Sequence, residues 1–502
     1  MIVLSVWRRA AGVLTIVAAL GAPLAAARAE TTLIPPLVNG DETIVVTSHR
    51  IQTAEGPLDY EARVGRLPIR NDESGEVRGW VGFTAYVVKS KTPRPLTFLW
   101  NGGPTGPSDL VHTSMFGPRR ITDAGFVDNK ETLLRTSDLV FYDPIGTGFS
   151  RPARPEYDKE FLSVLGDFAM TAEFVRAWRA KFGADHQPLF LAGESYGTWR
   201  VSGTTELLTK AHVKVAGAIL LSGGVPGSLM PPEFQDAMYV PARTATAFAL
   251  KKLAPDLMAD RAATMKAVDD WATHTYMPAL ARLDQLTPAE KDRIAEALAR
   301  FIGVRPDQID RKTLVMSNNA YKAGLFDGDK SKALDTYDMR LLGPQPRTPS
   351  RDRAIMDYFR GELGYNTDLA YTGLEDGYMP LPGPARRSTA QRFVYNHTEI
   401  TPQAMERMKA GGGPPLSQPW LQNAMRADPD LKVLVLAGRY DSLNMCEGNR
   451  HMTEKLEPEL ARRFSHACYE GGHMMYKVEA SRLKLSADVA AFVANTAAQA
   501  RP

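Results

Sequence analysis

Cysteine is almost missing from this chain. Its 502 residues hold two, Cys446 and Cys468, which allow one disulfide at most. An excess of either charge is missing as well. Lys and Arg together number 60 against 57 Asp and Glu, and three of the basic residues, Arg8, Arg9 and Arg28, lie in 1–29, a stretch without acids. Without that stretch the balance is 57 against 57, which argues against a nucleic-acid binder, since that needs a phosphate-matching basic surface. Beyond it no apolar run is long enough to span a bilayer. There is no H-E-x-x-H zinc motif, no P-loop and no complete G-x-G-x-x-G after a strand, so no metal and no organic cofactor is implied. Fixed-period repeats and long low-complexity tracts are missing too.

What is present begins with an export signal. Arg8 and Arg9 form a positive n-region, 10–20 is an apolar stretch too short to cross a bilayer comfortably, and Ala27-Arg28-Ala29 is a small-residue cleavage site. We read 1–29 as a Sec-type signal peptide cleaved before Glu30. The expected mature protein is periplasmic or secreted, with no stable membrane insertion; the alternative is a retained anchor. In an oxidising compartment Cys446 and Cys468 are expected to pair, tying together the segments around Asp441 and His473. A loop of this size is worth about 3 kcal/mol by chain-entropy reasoning. The alternative is two buried thiols.

Three short segments carry the chemistry. Gly193-Glu194-Ser195-Tyr196-Gly197 is a G-x-S-x-G match entered from the apolar run 188–192. Gly438-Arg439-Tyr440-Asp441 ends a second apolar run, 433–437, and Gly472-His473 lies just past a short candidate strand near Cys468. A serine on a strand-to-helix turn, then Asp, then His is the chain order of the α/β-hydrolase triad. One G-x-S-x-G arises by chance in many chains; three elements, each at a strand end and in order, do not. Ser195 is the expected nucleophile, His473 the base and Asp441 the group that orients the imidazole. Of nine histidines, His473 alone follows the final strand behind glycines, whereas His466 falls within or before that strand. Ser150 and Ser222 also follow apolar runs, but neither sits in a nucleophile turn. An oxyanion needs two donors: the backbone N–H of Tyr196, and that of Gly103 in the loop Trp100-Asn101-Gly102-Gly103-Pro104.

The rest of the chain fits an α/β-hydrolase fold with a central, mostly parallel sheet. Residues 43–88 read as successive antiparallel strands, with a turn at Asn71-Asp72-Glu73-Ser74-Gly75. Apolar runs at 96–100, 138–142, 189–192 and 215–221 then alternate with helical patterns, clearest over 161–182. From 228 to 425 no series of buried strands recurs; helices are expected at 242–253, 288–302 and 352–363 between Pro and Gly clusters. The expected organisation is core 30–227, a large, mainly helical cap 228–425 and core 426–502. The alternative for the insertion is a separate helical domain.

Leu99-Trp100-Asn101-Gly102-Gly103-Pro104, Gly146-Thr147-Gly148-Phe149-Ser150, Gly193-Glu194-Ser195-Tyr196-Gly197, Asp441 and Gly472-His473-Met474 together resemble the serine carboxypeptidase family (peptidase family S10), in a bacterial-type member. The likeness covers both core segments and not the insertion. It implies a peptide substrate with a free C-terminus, whose carboxylate is held by Asn101, Gly102 and Glu194. Glu194 can donate to that carboxylate only when protonated, so peptide hydrolysis is expected to strengthen below neutral pH. Two departures surround this pocket. The family's second glutamate before a Gly-Pro is missing from Ser114-Met115-Phe116-Gly117-Pro118, and Thr105-Gly106-Pro107-Ser108 replaces its cysteine and serine pair. Arg119 or Arg120 could compensate, or be an ordinary exposed basic pair. Thr198 stands where the family often has glycine. A serine-type carboxypeptidase is the leading reading. An esterase or acyltransferase with the same triad, and a binding protein that kept the fold, are the others.

Overall fold

The structure is a computed structural model and describes residues 43–224, 230–345, 349–374, 389–398, 402–409 and 418–500. The expected signal peptide lies outside the described residues.

Nine of the described strands form one continuous sheet path. In chain order the strands are β1 (Val45–Thr53), β2 (Gly56–Arg70), β3 (Val77–Val87), β4 (Leu96–Trp100), β5 (Arg119–Thr122), β6 (Gly125–Asp128), β7 (Asp138–Tyr142), β8 (Arg151–Pro152), β9 (Leu189–Glu194), β10 (Gly217–Leu221), β11 (Lys432–Gly438) and β12 (Phe464–Tyr469). The main sheet runs β1-β2-β3-β7-β4-β9-β10-β11-β12, with β8 paired on β3, while β5 and β6 make a separate hairpin. β1, β2, β3 and β7 pair antiparallel, and every later neighbour in the path is parallel. The pattern follows from side-chain chemistry. β1 alternates buried and exposed residues towards its end, as a one-faced edge strand does, whereas β4, β7, β9 and β10 are buried at every residue.

Helices flank the sheet where capping chemistry allows. The helix expected over 161–182 starts at Val164, because Ser163 accepts from the Gly166 N–H as its N-cap, and it stops at left-handed Gly183. The helix at Pro288–Ile302 has the expected bounds, set by a Thr287/Glu290 capping box. The one expected at 242–253 instead spans Pro232–Ala249 and carries Pro241 inside it. Phe234, Ala237 and Met238 are buried on the turns before that proline, so packing outweighs the single hydrogen bond a proline forfeits. Past Asp357 the expected 352–363 helix widens into a π-helical turn, Tyr358–Glu362.

Among the described residues, 230–431 contributes no strand to the sheet. It does not build its own core either. Phe234, Val240, Leu298 and Tyr321 belong to the same buried apolar cluster as Phe98, Leu191, Leu220 and Val435 of the sheet. The insertion therefore packs as part of the hydrolase body.

Candidate active site

Ser195 lies between β9 and the helix Gly197–Lys210, with φ at +59°. For a residue with a Cβ that is the left-handed region, costing on the order of 1–3 kcal/mol, and it persists only where neighbours enforce it. They do. The Ser195 N–H donates to Leu221 O at 2.8 Å, and the Thr198 N–H returns to Ser195 O at 2.9 Å. The Thr198 hydroxyl adds a second bond to the same carbonyl, 2.8 Å long, which is what a threonine gains here over glycine. A Cβ at Gly193 would lie 2.2 Å from Gly197 O, so the turn closes only without a side chain at Gly193, and a Cβ at Gly197 would crowd Trp100 Cδ1 at 2.9 Å. The turn leaves Ser195 half-buried between buried Glu194 and Tyr196.

Asp441 and His473 come from the loops after β11 and β12. His473 Nδ1 is 2.7 Å from Asp441 Oδ2, both side chains being buried. Asp441 Oδ1 accepts from the Leu443 N–H at 2.8 Å, which fixes the carboxylate's roll. Burial opposes charging the His473 imidazole, yet the Asp441 carboxylate, with Glu194 adding to it, outweighs burial and raises its pKa above the ordinary value. Two backbone contacts set the His473 loop: its N–H donates to Tyr337 O at 2.5 Å, and the Ser222 hydroxyl donates to His473 O. Ser222 itself is held at φ +49° just past β10. The insertion also braces the aspartate loop, through Ser442 Oγ to Thr336 O at 2.7 Å and Asn318 Nδ2 to Ser442 O at 2.9 Å.

The loop after β4 presses against the Ser195 turn. An added Cβ on Gly102 would meet Glu194 O at 2.5 Å, Tyr196 N at 2.6 Å and Ser195 Cβ at 2.8 Å. Neither the Gly103 nor the Tyr196 N–H makes a backbone hydrogen bond among the described residues, which leaves both as donors. Asn101 is buried, its Oδ1 accepting from the Leu110 and Val111 N–H groups at 3.1 and 3.0 Å. That polarity directs Asn101 Nδ2 to Glu194 Oε2, 2.7 Å away. The Tyr476 hydroxyl donates to the same oxygen at 2.8 Å. Burial raises the Glu194 pKa; His473, the Tyr476 bond and Lys477 pull against it, and Asp109 adds to the rise.

Beneath the site, buried Arg200 donates to both oxygens of Asp167 at 3.0 and 2.9 Å, to Asn101 O at 2.9 Å and to Pro104 O at 3.0 Å. One guanidinium fork thus joins the helix Val164–Phe182, the helix Gly197–Lys210 and the glycine loop.

The structure sets Gly102 against Glu194, Ser195 and Tyr196, bonds Asn101 to Glu194 and pairs Asp441 with His473, while Gly103 follows Gly102 in the same loop. Other residues singled out in the sequence lie elsewhere or have other partners. His466 points outward from β12. Ser150 is buried, donating to Asp143 O at 2.6 Å and accepting from the Gly82 N–H at 2.7 Å, so Gly146–Ser150 shapes a turn. Arg119 is paired with Asp128 and with Glu362 at 3.1 Å, and Arg120 faces Arg482, Glu131 and Glu479, so neither is directed at the pocket. Cys446 and Cys468 form the disulfide. Tyr476, Ser222, Arg200 and Tyr337 were not legible as site residues. Tyr476 alone carried a signal, standing three residues beyond His473.

Parts of this chain are similar to known carboxypeptidases. Residues 80–276 match the family model described as serine carboxypeptidase. The pheromone-processing carboxypeptidase of Eremothecium gossypii is 29% identical over 235 residues, covering 44% of this chain and 37% of that protein. The pheromone-processing carboxypeptidase of Sclerotinia sclerotiorum is 25% identical over 166 residues, covering 32% and 25%. The matched stretches thus span roughly a quarter to a third of those relatives' lengths. A solved prohormone-processing carboxypeptidase from Saccharomyces cerevisiae superposes with a TM-score of 0.54 at 14% identity, covering 88% of this chain and 92% of that one. That likeness speaks for the α/β-hydrolase fold.

Proposed function

We propose that this chain, whose residues 80–276 match the serine carboxypeptidase family model, is a member of that family and releases C-terminal residues from peptides through an acyl-enzyme on Ser195. The observation that carries the reading is the direct bond between Asn101 and Glu194, one residue before the nucleophile. A donor pair there would seat a terminal carboxylate beside the scissile bond. Ser195 Oγ attacks the peptide carbonyl carbon while its proton passes to His473 Nε2, and Asp441 holds the imidazole through Nδ1. The oxyanion receives the Gly103 and Tyr196 N–H groups. The C–N bond breaks as His473 protonates the departing amino group, and water, deprotonated by His473, frees Ser195. We read the 228–425 insertion as the cap over this site; the Thr336, Tyr337 and Asn318 contacts with both triad loops support that. Export to an oxidising compartment is part of the proposal, and the Cys446–Cys468 bridge supports it.

The test compares one blocked dipeptide as its free acid and as its amide near pH 5, with the natural chain and Ser195→Ala. Cleavage of the free acid in strong preference, abolished in the variant, is the expected result. Turnover of neither peptide, with Ser195-dependent hydrolysis of a simple ester, would move the function to ester or acyl transfer. The observation favouring that second reading is buried, uncharged Met115 where the family carries its second glutamate.

A further inference from the structure

Glu194 is the charge-bearing member of the proposed carboxylate pocket, and the side chains around it specify which oxygen holds its proton. Oε2 accepts two hydrogen bonds, from Asn101 Nδ2 at 2.7 Å and from the Tyr476 hydroxyl at 2.8 Å. Neither bond can reverse. Asn101 has its carbonyl end occupied by the Leu110 and Val111 N–H groups, so its amide end must face Glu194. Tyr476 is buried, its ionisation is suppressed by burial and by Glu194, and its hydroxyl has no other acceptor among the described residues. Turned round to accept a proton from Oε2, it would leave its own proton buried without a partner.

We infer that Tyr476 is a positioning residue for substrate recognition, one that locks the Glu194 proton onto Oε1 and takes the place of the second glutamate this chain lacks. The inference rests on the carboxylate reading of the pocket. Oε1 carries no hydrogen bond among the described residues, and Asn101 Nδ2 has a second N–H left after serving Oε2. The Oε1–H and that N–H form a two-pronged donor for the two oxygens of a peptide's terminal carboxylate. A second carboxyl in Tyr476's place would share the proton and titrate with Glu194. A tyrosine hydroxyl donates at every working pH, so here Glu194 titrates singly. The groups facing it are His473, Tyr476 and Lys477 from the segment after β12, and Asp109 from the loop after β4. Asp109 is in turn paired with Arg351 at 2.9 Å.

The readout is the ratio of kcat/KM for a free-acid peptide to kcat/KM for an ester of the same acyl group without a carboxylate, followed with pH. His473 affects both substrates, so the ratio isolates the protonation of Glu194. In the natural chain it should fall with rising pH as a one-proton titration. Tyr476→Phe removes a donor that favours the carboxylate, so the midpoint should move up by about one pH unit, a tenfold change in the ratio on the alkaline side. A merely structural tyrosine would change both substrates alike and leave the midpoint in place, which overturns the inference. Glu194→Gln provides an independent check. With the amide nitrogen at the Oε1 position, acid preference should persist and lose its pH dependence; a collapse of the preference places the proton on Oε2 and overturns the inference as well. A natural chain that shows no acid preference at all overturns the pocket reading itself, a result distinct from an unmoved Tyr476→Phe midpoint.

Discussion

At the scale of single residues the site depends on contact distances that leave no room for one methyl group. Gly102 packs against the backbone of Glu194 and Tyr196 and the side chain of Ser195, with a notional Cβ at 2.5 to 2.8 Å from all three. Gly102→Ala must therefore push the loop, and the Gly103 N–H with it, off the nucleophile turn. On the proposed reading the Gly103 N–H is an oxyanion donor; loss of one such donor lowers kcat by on the order of 10²–10³, and we expect a fall of that size in kcat with KM moving little. Steady-state kinetics on an activated ester checks it, since an ester needs the oxyanion donors and not the carboxylate pocket. Ser195, Asp441, His473 and Glu194 were legible in the sequence because each sits in a short motif at the end of an apolar run. Arg200 and Ser222 were not. Their roles are hydrogen bonds to carbonyls over ninety residues away in the chain, and nothing in local sequence marks which carbonyl a buried donor will meet.

Among elements, the disulfide links the start of the helix Cys446–Glu454 to β12, between the loops that bear Asp441 and His473. With its ends 22 positions apart in sequence, closing that loop in the unfolded chain is worth about 3 kcal/mol. Replacing both cysteines by serine should lower the unfolding free energy by about that amount in chemical denaturation. Ester turnover should survive, because Tyr337 O and the Ser222 hydroxyl hold the His473 loop independently of the bridge. Loss of turnover without loss of stability would show the bridge to be part of the triad's alignment. Strands and the capped helices were readable from alternation and caps; the helix around Pro241 was not, since a proline reads locally as a boundary and only its packing partners show otherwise.

Across the whole molecule, two buried groups couple stability to pH with opposite signs. His112 is driven by burial from 6.5 to about 3. Unfolding thus takes up a proton there, and the stability His112 contributes is present above pH 6.5 and lost as pH falls towards 3. Asp143 is raised by burial from 3.8 to about 6, against the opposing bonds from the Ser108 N–H and the Tyr371 hydroxyl. The folded chain takes up that proton first, so stability withheld at neutral pH is regained as pH falls from about 6 to about 4. Between those values the two uptakes offset each other. Asp143→Asn removes the second alone, and the loss of unfolding free energy on acidification should steepen by about 1.4 kcal/mol per pH unit. Denaturation at a series of pH values measures the slope, and an unchanged slope would refute the assignment.

The sequence by itself determined the hydrolase core, the order of its candidate chemical residues and the resemblance to a family, because strand ends, glycine turns and motif spacing are local properties of the chain. Tertiary structure alone decided what surrounds that chemistry. It packed described residues of the insertion, Phe234, Val240, Leu298 and Tyr321 among them, into the sheet's own core and set the backbone of Thr336 and Tyr337 against the loops that bear Asp441 and His473. It brought Tyr476 onto Glu194 at 2.8 Å, where the missing second acid had left the pocket unexplained. Those contacts join residues far apart in sequence, and a buried polar group reveals its partner only once the chain has closed around it.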